Sequence, residues 1–473
     1  MTKTKIVATL GPATSTPEAI VSLAKAGADL FRLNMSHGDR ETHRASIRLI
    51  RSLPETHGIH PVGIIGDLSG PKVRVGRFSG GSVELLSGKT VTLVNSEVEG
   101  SADSIHVSYE GLGKGLRRGS KVLLDDGMLE LKVVSASHGE VVCKVVKGGT
   151  LKDRKGVNFP GLPLELPSLT DKDKADLAML VEESADYVAL SFVRSSADVV
   201  MLKHLIASLG GAIPVIAKIE RPEAVKDIKS IVEAADGVMV ARGDLGVEMA
   251  PELVPPIQKR LIRLCNEMKK PVITATQMLE SMITNPRPTR AEASDVAGAV
   301  FDGTDALMLS GETASGSYPE ASVTMMNAIA REAERHLADG RYACESMDSA
   351  PQAIAQAACR TADELKAKSV ICFSRSGATA LLVSKYRPST HVIAATPDEA
   401  AYRRMRLYYG VTPVMVRQQS DTDGMIAEVE GSALSAGLVR PGDRVVVTLG
   451  VPVSGKAETN LMKVHRVGDV FGR

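Results

Sequence analysis

The stretch GDLSGPKVRV, residues 66–75, is where the rhythm of this chain changes. An apolar run, Val62–Ile65, ends in Asp67, and a Gly-Pro pair then breaks any strand before Lys72. Upstream, short β-branched runs alternate with helical segments. KIVATLGPAT is strand-like, PEAIVSLAKAGA is an amphipathic helix with Pro17 at an allowed first-turn position, and DLFRLNMSHG is strand again. RETHRASIRLIRSLPETHG is helical and PVGIIGDLSG is a third strand. Near-continuous apolar strands in βα alternation indicate a parallel sheet covered by helices. Downstream, from about 71 to 168, there is no helical periodicity. KTVTLVN, KVLLDDGMLELKVVSA and GEVVCKVVKGG alternate at period two between Gly, Asp and Ser turns, which predicts an all-β insertion.

The βα rhythm resumes at SLTDKDKADLAMLVEESA, where Thr170 is the N-cap and acidic first-turn residues suit the helix dipole. Strands follow at YVALSFV, PVIAKIE, GVMVARGD, PVITATQ and DALMLSGE. Three strands before the insertion and five after it make eight, in roughly 235 residues, the size of a (β/α)8 TIM barrel. A polar, turn-rich stretch at 337–350 marks a second boundary. Beyond it helix 351–367, SVICF, a Ser/Gly loop, ATALLVSKY, HVIAATP, DRVVVTL and NLMKVHRV predict a separate α/β domain. The expected organisation is a barrel in two parts (1–70 and 169–340), an inserted all-β domain (71–168) and a C-terminal α/β domain (345–473).

Composition narrows the function classes. Lys+Arg 57 against Asp+Glu 56 leaves a net charge of +1, so no global field argues for nucleic acid or an anionic membrane. Aromatic residues are 3% with no Trp, which weakens any base-stacking role. The five cysteines (143, 265, 344, 359 and 372) lack metal-ligand spacing and read as free thiols of a reducing cytosol. The opening MTKTKIVATLG has no apolar signal region, and no stretch approaches the roughly 20 apolar residues that span a bilayer, so a cytoplasmic location is expected.

In such barrels chemistry sits at the carboxyl ends of the strands. Here those ends read Thr9; Arg32, Asn34 and Ser36; Asp67; Ser191; Lys218 and Glu220; Arg242 and Asp244; Thr276 and Gln277; Ser310 and Glu312. Ordinary loop polarity predicts Gly, Asp and Ser, not an inward-alternating Lys-x-Glu followed by Arg-x-Asp on the next strand. Lys218 and Glu220 are two apart and share one face of their strand. Asp244 ends the neighbouring strand, so two carboxylates without a nearby His or Cys suit a hard cation such as Mg²⁺. The competing reading is an ion-pair network balanced by Lys218 and Arg242. Lys218 as a point charge and Arg32 as a planar fork are the groups phosphoryl transfer needs. Gly243 and Gly246 would let backbone N–H groups approach an anion.

These segments also resemble a known family. ATLGPAT, FRLNMSHG, DLSGPKVRVG, DDGMLE, KGVNFPG, LSFVRS, AKIERPEA, ARGDLGVE and TATQMLESMITNPRPTRAEASDVAGAV run in the order and spacing of the pyruvate kinases, and the resemblance covers essentially the whole chain. It implies transfer of the phosphoryl group of phosphoenolpyruvate to ADP, giving pyruvate and ATP in glycolysis, by a cytoplasmic homotetramer that uses Mg²⁺ or Mn²⁺. By the same resemblance Glu220 and Asp244 hold the metal and Lys218 stabilises the transferring phosphoryl. Arg32 contacts phosphate, backbone N–H groups around Gly243 and Asp244 hold the substrate carboxylate, and Thr276 helps to deliver a proton to the enolate. Ser191 and Asp67 line the same floor. Asn34, His37, Arg74 and Lys155 match nucleotide-contacting positions, and Asp126 a lid residue that closes over the nucleotide. His37 by itself reads as a helix-start or core histidine.

One departure stands out. Many family members bind K⁺ through oxygens like those of Asn34, Ser36 and Asp67, and carry Glu where this chain has Lys72. The stretch resembles the potassium-independent branch, in which a tethered ammonium supplies the positive charge, so K⁺ is not expected to be required. In the C-terminal domain Ser374, Arg375, Ser376, Gly377 and Thr379 form a Ser/Gly loop between strand and helix. It reads either as an anion trap, which in the family can hold a sugar-phosphate activator, or as an ordinary N-cap with Ser376 and Thr379. TLGVPVSGKAETNLMKV matches the family's final loop without a recognisable effector-specific residue. The alternative activity is a barrel lyase or aldolase acting on pyruvate or phosphoenolpyruvate, which would not need Arg74, Lys155 and Asp126. A metabolite-sensing scaffold is the non-enzymatic alternative.

Overall fold

The computed structural model describes residues 2–162, 164–337, 349–451 and 458–469. Eight short parallel strands close into a barrel: β1 (Lys5–Thr9), β2 (Leu30–Asn34), β3 (Gly63–Asp67), β4 (Tyr187–Leu190), β5 (Val215–Ile219), β6 (Gly237–Ala241), β7 (Val272–Ala275) and β8 (Ala306–Leu309). Each strand pairs with its chain neighbours, and β8 returns to β1 with Ala306 opposite Lys5. Almost every strand residue is buried, because helices cover the outside and side chains fill the inside. Phe31, Leu33, Ile64, Ala217 and Ile219 pack outward against the helical ring, while Leu30, Ile65, Ile216, Met239 and Ile273 belong to the inner core. That alternation turns Arg32, Asp67 and Lys218 to the inside. Gly66 is needed on the outside, since a Cβ there would lie 2.4 Å from Leu180 Cδ1 on helix Asp171–Glu182. Thr170 caps that helix as expected, in a capping box with Asp173.

Between β3 and Asp171 the chain builds a six-stranded sheet and a two-stranded ribbon around a core that includes Val91, Leu131, Val141 and Cys143. This is the expected all-β lid. In the C-terminal domain the strands are β9 (Ser369–Phe373), β10 (His391–Thr396), β11 (Val411–Met415), β12 (Arg444–Leu449) and β13 (Leu461–Arg466). They lie in the order β11-β10-β9-β12-β13, parallel except for β13. Strand β11 has no counterpart in the sequence reading. It carries Pro413, and its edge position is where a sheet tolerates a residue without an N–H. Helices Glu399–Met405 and Thr422–Ser435 were likewise not expected. The expected domain boundary at 340–345, Cys344, and residues 452–457 of the final loop lie outside the described residues. Cys143, Cys265, Cys359 and Cys372 are buried free thiols, and burial pushes the thiols of Cys143 and Cys265 up to about 12. Among the described residues no helix is long and apolar enough to cross a membrane.

The C-terminal domain docks on the amino end of β8. Asp305 pairs with Arg387 at 2.7 Å and with the fully buried Lys385, and its carboxylate also accepts the Val272 N–H at 2.8 Å. Lys385 donates further to Asn266 Oδ1 at 2.8 Å. Breaking a buried pair costs more than forming it gains, because one charge is left stranded. Asp305→Asn should therefore destabilise the protein by about 3–5 kcal/mol. Calorimetry checks this, and a loss below about 1 kcal/mol would show that the cluster does not join the domains.

Candidate active site

The inward pleat brings one residue from each of several strand ends to a common floor. Arg32, at the end of β2, donates from Nε to Asp67 Oδ2 at 2.7 Å and from Nη1 to Thr9 Oγ1 at 3.2 Å. Lys218 Nζ lies 3.2 Å from Asp67 Oδ1, 2.9 Å from Glu220 Oε1 and 2.7 Å from Ser191 Oγ. Ser191 in turn donates to the Leu68 carbonyl at 2.7 Å. The second oxygen of Glu220 accepts the Phe192 N–H at 2.7 Å. Five of the expected residues thus form one buried, hydrogen-bonded unit.

Its electrostatics are mutually supporting. Burial pushes the Asp67 carboxyl up, but Lys218 and Arg32 together outweigh it and hold it below the usual carboxylate range. Burial would draw the Lys218 ammonium down, but Asp67 and Glu220 raise it well above the ordinary lysine value. Lys218 is therefore a permanent cation. Glu220 is pushed up by burial and by the charge of Asp244, against Lys218. That strain is what a divalent cation shared by Glu220 and Asp244 would relieve, and carboxylate oxygens are the donors a hard cation prefers. No larger cluster of His, Cys, Asp or Glu suited to a metal exists among the described residues.

The wall opposite is built by the loop after β7. Thr276 and Gln277 have φ of +71° and +54°, and for β-branched Thr276 this is a strained conformation. Three contacts enforce it. Thr276 Oγ1 accepts the Gly243 N–H at 2.7 Å and donates to the Ala275 carbonyl at 2.6 Å, while Arg242 Nη2 donates to the Thr276 carbonyl at 2.8 Å. Arg242 does not balance Glu220 and Asp244, as the ion-pair reading required. It pairs with Asp295 at 2.7 Å. Glu312, fully buried, accepts the N–H groups of Leu279 at 3.0 Å and Ser310 at 2.7 Å, and so braces the same loop.

The remaining expected residues are placed as follows. Asn34 Oδ1 accepts the Ser36 N–H at 3.1 Å, and this turn leads to His37 at the mouth of the site. Partial burial, with the charges of Arg74, Arg32 and Lys72, holds the His37 imidazole below its usual range. Lys155 pairs with Asp125 at 2.8 Å, and Arg74 donates to the Arg154 carbonyl at 2.9 Å. The expected closeness of Lys72 to Asp67 gives way to a different pairing. Both Asp67 oxygens are taken by Arg32 and Lys218, and Lys72 Nζ turns to Asp126 of the lid at 3.9 Å. The C-terminal loop lies apart, and its N-cap reading is corrected: the cap is Gly377 at φ +90°, which has no side chain to accept, and not Ser376 or Thr379. Ser374 Oγ accepts the Thr379 N–H at 3.2 Å, and the Thr379 hydroxyl bonds that of Thr459 at 2.6 Å. Arg375 and Ser376 are exposed. Sequence reasoning missed Thr459, Glu312's bracing role and the strain at Thr276, none of which has a local signal.

Comparisons with known proteins agree with this geometry. Residues 1–323 match the family model described as "Pyruvate kinase, barrel domain", and residues 352–465 match "Pyruvate kinase, alpha/beta domain". The chain is 45% identical to the pyruvate kinase of Staphylococcus saprophyticus, over 100% of this chain and 82% of that one. It is 46% identical to pyruvate kinase 2 of Synechocystis sp., over 100% of this chain and 80% of that one. A crystal structure of a pyruvate kinase from Cryptosporidium parvum superposes with a TM-score of 0.92 at 37% identity, covering 98% of this chain and 96% of that chain. Similarity of this degree, along the full length and in three dimensions, means that the chain belongs to the pyruvate kinase family of phosphotransferases.

Proposed function

We propose that the chain transfers the phosphoryl group of phosphoenolpyruvate to ADP on the floor formed by Arg32, Asp67, Ser191, Lys218 and Glu220. The observation that carries this reading is Lys218: a buried ammonium paired with two carboxylates and hydrogen-bonded to Ser191 at the carboxyl ends of the barrel strands. Phosphoryl transfer passes through a loose transition state, so catalysis consists of positioning and charge neutralisation. Lys218 supplies a fixed positive charge that needs no reorganisation at the moment of transfer. Arg32, oriented by Asp67 and Thr9, keeps further N–H donors for phosphate oxygens. Glu220 and Asp244 would hold Mg²⁺ or Mn²⁺, which when bound neutralises phosphoryl charge as a Lewis acid. Gly243 already gives its N–H to Thr276, so the substrate carboxylate falls to the free donors beside it, around Asp244. Thr276 is assigned to the enolate face, where its hydroxyl, turned from the Ala275 carbonyl, would pass a proton through water to the enolate carbon. Asn34, His37, Arg74, Lys155 and Asp126 line the approach of ADP between floor and lid, and Lys72, paired with Asp126 and not with Asp67, stands in for a monovalent cation on the side of Asn34 and Ser36.

The same reading includes a cytoplasmic homotetramer and a sugar-phosphate effector at Ser374–Thr379, supported by the exposed Arg375 and Ser376 flanking the left-handed Gly377. A coupled assay of pyruvate formation tests the reading. Pyruvate should appear from phosphoenolpyruvate only when ADP and Mg²⁺ are both present, and a sugar phosphate should lower half-saturation for phosphoenolpyruvate. Pyruvate or a condensation product formed without ADP would favour a lyase or aldolase.

A further inference from the structure

The lid returns to the barrel through residues 157–162 and 164–168, and groups that follow β4, β5 and β6 hold that segment. Arg194, after β4, donates to the Leu164 carbonyl at 3.1 Å, and Arg221, after β5, donates to the Leu162 carbonyl at 3.3 Å. These contacts use backbone oxygens, which any residue would offer. Two contacts join side chain to side chain: Arg194 Nη2 donates to Ser168 Oγ at 2.9 Å at the barrel end of the segment, and Asn158 Nδ2 donates to Glu248 Oε1 at 2.9 Å at its lid end. Asn158 belongs to the lid sheet itself, paired with Leu123. Glu248 is the last residue of helix Arg242–Glu248, whose first turn carries Gly243 and Asp244.

We infer that Glu248 is a positioning residue that latches the lid to the helix bearing the metal and substrate groups. This rests on the proposed function, since it takes Gly243 and Asp244 to be the substrate and metal end of that helix. Two observations indicate that the latch has more than one setting. Glu248 Oε2 is buried and has no hydrogen-bond partner among the described residues, and Arg221 Nη1 lies 3.8 Å from Oε1, the oxygen that Asn158 already holds. A buried orphan oxygen on a carboxylate is costly to maintain, so a displacement of the lid or of Arg221 that brings a donor to Oε2 offsets part of its own cost. A cavity of about 30 Å³ lies beside the contact, lined by Lys72, Val157, Phe192, Arg194, Arg221 and Glu248, and leaves room for a side-chain shift there. A helix of seven residues is about 10 Å long and behaves as a rigid rod, so a shift at its Glu248 end is felt at Asp244. Lid position and ligand binding at Asp244 then bias each other reciprocally.

The test uses the full chain and exchanges donor and acceptor across the contact. Asn158→Asp sets two carboxylates face to face and should raise the KM for ADP at least fivefold while changing kcat less than twofold. It should also abolish the protection of amides 155–162 from hydrogen exchange that Mn²⁺ with phosphoenolpyruvate induces in the parent protein. Adding Glu248→Gln, whose amide can donate to the carboxylate introduced at position 158, should return KM to within twofold of the parent and restore the protection. An Asn158→Asp variant with parental KM and protection overturns the latch, as does a double variant no better than the single, whether or not the lid stays folded. Should the parent form no pyruvate from phosphoenolpyruvate and ADP, the functional reading fails, whereas the exchange experiment with Mn²⁺ alone still decides the latch.

Discussion

Replacing Lys218 with methionine should lower kcat about a thousandfold, equivalent to roughly 4 kcal/mol of transition-state stabilisation. The size follows from its surroundings. Lys218 is 8% exposed and forms the charged centre between Asp67 and Glu220, so no solvent cation can take its place during turnover. The same substitution should leave Mn²⁺ affinity equal or higher. Lys218 occupies Glu220 Oε1 at 2.9 Å and competes with a cation for that oxygen, so removing the ammonium frees a ligand. The pairing of collapsed kcat with retained metal binding distinguishes loss of a catalytic charge from general damage to the floor. Some stability will be lost, since Asp67 keeps only Arg32 and Glu220 keeps no direct ion-pair partner among the described residues, and thermal unfolding of the variant establishes that it remains folded at assay temperature. A coupled assay and a Mn²⁺ titration suffice. A kcat within tenfold of the parent would remove Lys218 from the mechanism.

The second large effect concerns Lys72. The parent should run near its maximum with Mg²⁺ alone, whereas Lys72→Glu should lose at least tenfold in kcat/KM without K⁺ and recover most of it when K⁺ is added. Lys72 contributes +1 beside His37, whose imidazole it helps to hold down, and beside the lid residue Asp126 at 3.9 Å. A glutamate there reverses the charge felt by both and recreates an anionic pocket for a monovalent ion with the oxygens of Asn34 and Ser36. Recovery must be specific to K⁺, because an equal concentration of a bulky cation screens the new repulsion from Asp126 just as well. If K⁺ stimulates the parent itself tenfold or more, the lysine is not a substitute for the ion.

Much of this protein is written locally in its chain. Near-continuous apolar runs between helical segments place β1 to β8, the break at Gly70-Pro71 marks where the lid departs, and Thr170 caps the helix on return. The strand-end residues that make the floor were legible for the same reason: pleat alternation sends Arg32, Asp67 and Lys218 inward whatever surrounds them. Strand β11 was not legible, because Pro413 argues against a strand until the sheet shows that it lies on an edge.

Which charge pairs with which was decided only in three dimensions. Asp67 and Lys72 are five residues apart, yet closure of the barrel brings Arg32 and Lys218 onto both Asp67 oxygens and leaves Lys72 to the lid. The left-handed Thr276 exists because Gly243 and Arg242, more than thirty residues away, hold its hydroxyl and carbonyl. Gly377 rather than Ser376 caps the C-terminal helix, Lys385 loses all exposure against Asp305, and Asn158 finds Glu248 across 90 residues. Local sequence determines strand, helix and the face a side chain takes. The partner that side chain meets depends on register around a closed barrel and on where the two connections to the barrel place the lid, and both are set by packing over the whole molecule.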